Sequence, residues 1–353
     1  MASRLTTYQL IADILSFESD QNDLEERLSH AQTDWDAVVT EGSRHLILPA
    51  LYCSLKAKSL LHLLPNDLVT YLEEITTINR NRNQSILEQI QFISKVFTAH
   101  TIDHVFLKGS AMLVSGYYTD IAERMIGDID ILIAQNQLND AFVLLQQHNF
   151  SHRDMTFGST YIDNKHLPAL TSQSYISSVE LHQRLFMGKA NFGLRSEAIL
   201  KRKVTNAGIS IPCDDDLLHH NILNYQINDS GYLRNTISFR TVYDHLVLTK
   251  HTAISNKMPN NKYMFAFNAV SSQLFPHLNT DTNFYFKMRR YFFRLKLKYT
   301  RLDTLWRYWV KWMLLLKLFW SRTKLSIKNS NYRKELWRDK KRIYTLIKTK
   351  LND

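Results

Sequence analysis

The chain has only two cysteines in 353 residues, Cys53 and Cys213, with no C-x-x-C and no dense His/Cys cluster. That scarcity excludes a disulfide framework, gives no zinc-ligand spacing and fits a reducing cytoplasm. Long apolar runs are missing as well. The opening MASRLTTYQLIADILSFESD has neither an uninterrupted apolar core nor a small-residue cleavage site, so it reads as an amphipathic helix rather than a signal peptide. Acidic residues are nearly absent from one end. Residues 284–353 hold 21 Lys plus Arg against 4 Asp plus Glu, a net of +17, while the remainder carries 23 against 29, a net of −6, giving +11 overall. What is present is 44% hydrophobic sequence, enough to pack a core, and a length that holds two or three modules.

Four regions follow from the patterning. Residues 1–100 show helical periodicity, as in Ile86, Ile90, Ile93 and Val96, with few turn residues. Residues 101–212 alternate short apolar strands with helices and read as the catalytic core; their polar stretch 151–174 is expected to form a hairpin or a substrate-facing loop. Helices return over 213–283, where DDDLLHHNILNYQI opens with aspartates suited to a helix N-terminus, and the polar stretch 255–262 interrupts them. Residues 284–353 read as a basic, aromatic-rich helical extension.

The chemistry is concentrated between Phe106 and Ile133. In GDIDILI, Asp128 and Asp130 alternate with Ile129, Ile131 and Ile133, and residues two apart on a strand share a face. Two adjacent carboxylates on an apolar strand repel and are costly to desolvate, so they call for a bound cation or a shared proton. Oxygen ligands at this spacing suit Mg²⁺, with Mn²⁺ as the alternative; such an ion fills its remaining positions with water and substrate phosphates. Upstream, His104–Leu107 reads as a short strand, Lys108-Gly109-Ser110 as a turn, and 111–118 as the start of a helix. Gly109 permits close backbone approach, and the free N–H groups behind it favour a phosphate that Ser110 can also bond. Ser178–Leu185 reads as another strand with Glu180 and His182 on one side. Glu180 is the candidate third metal ligand or base, against a surface pair with Arg184. A second metal cluster from His182, His219, His220 and Asn224 ranks below this one, because a helical histidine is more often a packing residue than a ligand. Arg240 and Asp244, spaced i, i+4, read as a helix clamp before a nucleotide contact.

Taken in order, LKGSAM, Tyr117-Tyr118 with Asp120, Arg124, the run from Asp128 to Leu132, and Glu180-Leu181-His182 resemble the bacterial family of uncharacterised nucleotidyltransferases within the polymerase-beta-like superfamily. Arg44 to Lys56, Asn81 to Ile90 and Phe239 to Leu248 are similar to that family's flanking helices, so the resemblance spans roughly residues 5–250. It implies an α+β fold: a polymerase-beta-like core, a small mixed sheet with helices, flanked by N- and C-terminal helical regions. It also implies Mg-dependent transfer of a nucleoside monophosphate from a nucleoside triphosphate, ATP foremost, to an acceptor hydroxyl or phosphate that it does not identify. On this resemblance Asp128, Asp130 and Glu180 are catalytic and hold the metal, and Lys108, Gly109, Ser110 and Arg124 bind the nucleotide. Lys108 either neutralises transition-state charge or points away, and Arg124 either contacts phosphate or pairs with Asp120. Two departures stand out: a longer gap from Ser110 to Asp128 than in compact superfamily members, and Gln183 where an aromatic commonly follows.

Two other classes compete. Glycosyltransferases also hold a metal and a sugar nucleotide with Asp-x-Asp, but behind a nucleotide-binding α/β half, where this chain reads helical. An inactive descendant serving as a membrane-surface or nucleic-acid-binding module must account for three retained acids. The extension bears on that choice, since five of the six tryptophans lie there: Trp306, Trp309, Trp312, Trp320 and Trp337. Its apolar run is too short and too charged to span a bilayer core, which needs about 20 residues. It suits a helix at an anionic membrane surface, on the inner face if the chain is cytoplasmic. Packing onto the protein or a partner ranks second, and single-stranded nucleic acid last.

Overall fold

The computed structural model describes residues 3–29, 33–152, 164–187, 192–252, 261–278 and 283–352. Residues 153–163 of the polar stretch 151–174 and 255–260 of the stretch 255–262 therefore lie outside the described residues.

Helices α1 (Arg4–Leu15), α2 (Gln21–Ser29), α3 (Trp35–Arg44) and α4 (Leu48–Ala57) precede a 34-residue helix, α5 (Asn66–Ala99). The Ser3 hydroxyl accepts from the Thr6 amide and the Asp34 carboxylate from the Ala37 amide, so α1 and α3 start at capping side chains. At the other end of α1, the Lys58 ammonium donates to the carbonyls of Asp13, Ile14 and Ser16, which have no helical partner. α5 buries Ile86, Ile90, Ile93 and Phe97 at helical spacing, together with a polar stripe of Asn79, Asn83 and Gln89.

The sheet begins with β1 (His104–Phe106), then α6 (Lys108–Ser115), β2 (Asp128–Ile133), α7 (Leu138–Gln147), β3 (Ser151–His152), β4 (Leu170–Thr171) and β5 (Ser178–His182). Its order is β1-β2-β5-β4-β3; β2 and β5 run parallel and the other pairs antiparallel. β3 and β4 pair at the ends of the polar stretch, giving the hairpin expected there, with residues 153–163 outside the description. After α8 (Ser196–Arg202), a small hairpin of β6 (Val204–Asn206) and β7 (Ile209–Ile211) follows. Then come α9 (Asp214–Leu223), a π-turn over Asn224–Asn228, α10 (Gly231–Arg234), α11 (Phe239–His251) and α12 (Lys262–Ser271). The fold is the expected α+β class, a small mixed sheet flanked by helices. No strand precedes His104 among the described residues, so the N-terminal parallel sheet that a glycosyltransferase reading requires is not found there.

The basic end forms α13 (Phe284–Lys298), α14 (Thr300–Lys328), α15 (Ser330–Arg338) and α16 (Lys340–Asn352). Its first part is built into the body: Phe286, Phe293, Leu297 and Val310 are buried, Arg4 bonds Asp303 at 2.7 Å, and the Trp306 indole donates to the Leu233 carbonyl. Among the described residues, no helix is long and apolar enough to cross a membrane.

Candidate metal and nucleotide site

β2 is apolar on alternate residues, so it pairs on both edges inside the core and leaves Asp128 and Asp130 on one face. The parallel register sets Asp130 opposite Glu180 and Leu132 opposite His182. Two carboxylates and an imidazole are thereby gathered: one donor atom from each of Asp130, Glu180 and His182 lies within 4.8 Å of the others. Asp128 shares their face, two residues upstream of Asp130, but is outside this tightest group.

Lys108 points inward, with Nζ 2.5 Å from Asp130 Oδ1. Its φ of +51° is unusual for a side-chain-bearing residue and is held where β1 ends, the Leu107 amide bonding the Asp130 carbonyl. Lys108-Gly109-Ser110 is consequently not a turn ahead of a helix, as the sequence suggests, but the first turn of α6 itself, which ends at Ser115 with Gly116 left-handed. The missing side chain of Gly109 faces Ile126, whose Cγ1 would stand 3.2 Å from an added Cβ, so close packing is by itself a reason for glycine there. Ser110 is fully buried, and its hydroxyl has no partner.

The electrostatics follow from this crowding. Burial would raise the Asp130 carboxyl, but hydrogen bonds and charge from His182, 2.7 Å away, and Lys108 hold it far below the usual range. Asp128 is pushed up, by burial and then by the charge of Asp130. The hydrogen bond from His182 lowers Glu180 against the effect of burial, and His166 stands 3.6 Å from the same carboxylate. Burial lowers Lys108, yet the attraction of Asp130 outweighs it and the net shift is upward. These features fit a divalent cation. One carboxyl, Asp128, is shifted upward by burial and by its neighbour's charge, an ammonium occupies the counter-ion position, and the buried His182 Nδ1 has no partner among the described residues. The expected set of Asp128, Asp130 and Glu180 thus shares a face, with His182 added to the tightest group.

Arg124 does something other than expected. Its guanidinium is buried against Asp244, 2.9 Å away, and donates to the Met125 carbonyl, while Tyr118 donates to Asp244 at 2.5 Å. Asp120 is held instead by Arg80 at 2.7 Å. Two of its donors are thus committed in the interior, where Arg124 ties the loop before β2 to α11 instead of pairing with Asp120, and Asp244 is bonded to Arg124 rather than to Arg240.

Sequence reasoning missed Lys165, His166 and the placement of His220. Residues 166 and 182 form a bridge beside β5, bringing the end of the polar stretch onto the acid cluster. Lys165, lowered by burial and by Lys108, feels the charges of Asp130 and Glu180. His220 on α9 is fully buried with neither ring nitrogen bonded, and burial lowers its pKa to about 3. The sequence signal for Lys165 and His166 is their position in the polar stretch 151–174, expected as a hairpin or a substrate-facing loop.

The loop leading to β2 hangs on α5. Asn79 donates to the Ala122 carbonyl, Asn83 to those of Ile121 and Arg124, and Gln89 exchanges bonds with the Ser177 backbone just before β5. One helix therefore positions the strands that carry Asp130 and Glu180.

A sequence profile described as "uncharacterised nucleotidyltransferase" matches residues 31–255, a span that contains α5, the whole sheet and the acid cluster. No curated protein matches the chain.

Proposed function

The chain belongs to the uncharacterised nucleotidyltransferase family, and from that membership and the acid cluster we infer that it transfers a nucleoside monophosphate from a nucleoside triphosphate to an acceptor. The observation that carries this reading is the in-register pairing of Asp130 with Glu180, which brings both carboxylates and His182 to one point. Asp128, Asp130 and Glu180, with His182 beside them, would hold the metal, Mg²⁺ in the first instance. That ion supplies charge neutralisation at the triphosphate. The first-turn amides of α6 at Gly109 and Ser110, with the unpartnered Ser110 hydroxyl, are set to donate to phosphate oxygens. Lys108 brings an ammonium to the same place. Glu180 accepts the proton of the acceptor hydroxyl, whose oxygen bonds the α-phosphorus as the bond to pyrophosphate breaks.

The test is to incubate the protein and Mg²⁺ with [α-³²P]ATP or [γ-³²P]ATP and a cell extract as acceptor source, then repeat with GTP, CTP and UTP. Label should stay with an acceptor only from the α position, and Asp130→Asn should remove it. Transfer of the γ label would mean a kinase and sink the reading.

A second reading concerns the basic end. Of the 24 large apolar side chains that stay exposed among the described residues, 16 lie at or beyond Phe284, including Trp309, Trp312, Phe319 and Trp320 on α14. Interleaved with Lys311, Lys317 and Arg322, they support a reading in which the extension lies on an anionic membrane surface, at the cytoplasmic face.

A further inference from the structure

A cleft of about 380 Å³ opens between α3, the π-turn after α9, α11 and the first part of the basic end. Six cations line it, Arg4, Arg44, Arg234, Arg240, Lys296 and Arg307, against three acids, Glu41, Asp229 and Asp303. Two of the acids are already engaged. Glu41 takes Arg44 at 3.0 Å and Arg4 at 3.4 Å, while Asp303 takes Arg4 at 2.7 Å, Arg307 at 3.3 Å and Lys296 at 3.5 Å. The guanidinium groups of Arg234 and Arg240 have neither ion pair nor hydrogen bond among the described residues. The acid one turn after Arg240, Asp244, is spent on Arg124 and Tyr118. Arg240 is half-buried, and burial together with the nearby charge of Arg124 lowers its pKa against the attraction of Asp244 and Asp229, neither of which pairs with it.

The cleft lies beside the acid cluster. Asp229, just after the π-turn, lines it and lies within electrostatic range of Lys108 and Lys165 as well as of Arg240 and Arg234, and the neighbouring Asn228 side-chain amide donates to the Leu185 carbonyl, three residues beyond His182. Asp229 adds a negative charge to the lining, and neither Arg234 nor Arg240 bonds Lys108, Asp130 or Glu180 among the described residues, so the cleft suits a second molecule better than the tail of the triphosphate. We propose that it is the acceptor subsite, and that Arg234 and Arg240 bind an anionic group on the acceptor, a phosphate or a carboxylate. Paired guanidinium groups give either anion bidentate, charge-assisted bonds. The assignment to an acceptor rests on the nucleotidyl-transfer reading; the anion site itself does not.

The test is calorimetric titration of the full chain with inorganic phosphate and, separately, acetate at constant ionic strength, using wild type, Arg234→Gln and Arg240→Gln, followed by Mg·ATP. Arg234 is exposed, so its variant tests the idea even if Arg240→Gln folds poorly. Saturable binding of at least one anion should weaken about tenfold or more in each folded variant, with Mg·ATP affinity changed less than about twofold; the stronger of the two anions names the acceptor group. Absence of anion binding by wild type, or equal anion affinity in the variants, overturns the proposal. Parallel loss of Mg·ATP assigns the cleft to the donor and overturns it too. If nucleotidyl transfer itself is wrong, Mg·ATP fails to bind wild type while arginine-dependent anion binding survives, so the two failures are distinguishable.

Discussion

At the scale of single residues, two buried charge clusters do different work. Tyr118 and Arg124 both donate to the buried Asp244 carboxylate, and Arg124 donates also to the Met125 carbonyl. Removing the acid leaves a buried guanidinium without its counter-charge, which costs about 3–5 kcal/mol. Asp244→Asn should therefore lower the urea midpoint strongly, and an unchanged midpoint would contradict the pairing. The cluster of Lys108, Asp130 and His182 is instead left incomplete, with an orphaned His182 Nδ1 and Ser110 hydroxyl. Asp130→Asn keeps the volume but should lose Mg-dependent nucleotide binding by at least about a hundredfold while circular dichroism stays native. The roles of these charges were unequally legible. Asp128 and Asp130 declare themselves by a local period of two. The partner of Arg124 lies 120 residues away, and the nearer Asp120 is claimed by Arg80 on α5. Which acid an arginine meets is decided by how helices dock, and no local pattern records it.

Among the elements, α5 is the scaffold for the site. Its helical periodicity was plain from Ile86, Ile90 and Ile93, but the reason for Asn79, Asn83 and Gln89 on a buried face appears only once their carbonyl partners are seen. Asn83→Ala strands the Ile121 carbonyl, leaves the Arg124 carbonyl only its longer bond from Asn79 at 3.3 Å, and should cost about 1–3 kcal/mol. It should also reduce transfer, although Asn83 touches neither proposed substrate; full activity with lowered stability would limit α5 to a structural role. The start of α6 was misread as a turn because Lys108-Gly109-Ser110 has turn composition, whereas the structure places Gly109 against Ile126 and begins the helix at Lys108. On α14, replacing Trp309, Trp312, Phe319 and Trp320 by Ser should abolish flotation with phosphatidylserine vesicles without shifting Tm, because these rings are mostly exposed. Undiminished flotation would count against the membrane reading.

Across the whole molecule, the buried His220 and His245 and the half-buried His45 couple stability to pH. Burial lowers His45 and His245 to about 4 and His220 to about 3, from an ordinary value of 6.5. The folded chain keeps them neutral while the unfolded chain protonates them, so their contribution is complete above pH 6.5 and declines as the pH falls toward 4. Each contributes a slope of up to ~1.4 kcal/mol per pH unit in that window. The raised carboxyls of Glu123, Asp128 and Asp229 act in the opposite sense and make the decline shallower. Tm should still fall between pH 7 and pH 5; a flat profile would contradict the neutral burial of the histidines. The general α+β architecture was legible because strand and helix periods differ. The docking of the basic end on α1 and α10 was not, since its buried residues, Phe286, Phe293 and Leu297, look in sequence like the exposed aromatics around them.

The central claim is that the acids on β2 and β5 bind a nucleotide through a metal. Calorimetric titration of ATP, GTP, CTP and UTP into wild type and the Asp128→Asn/Asp130→Asn double variant, each with and without Mg²⁺, tests it most directly. The account predicts saturable binding of at least one nucleotide that requires Mg²⁺ and vanishes in the folded double variant. Binding that persists without Mg²⁺ or in that variant would contradict it.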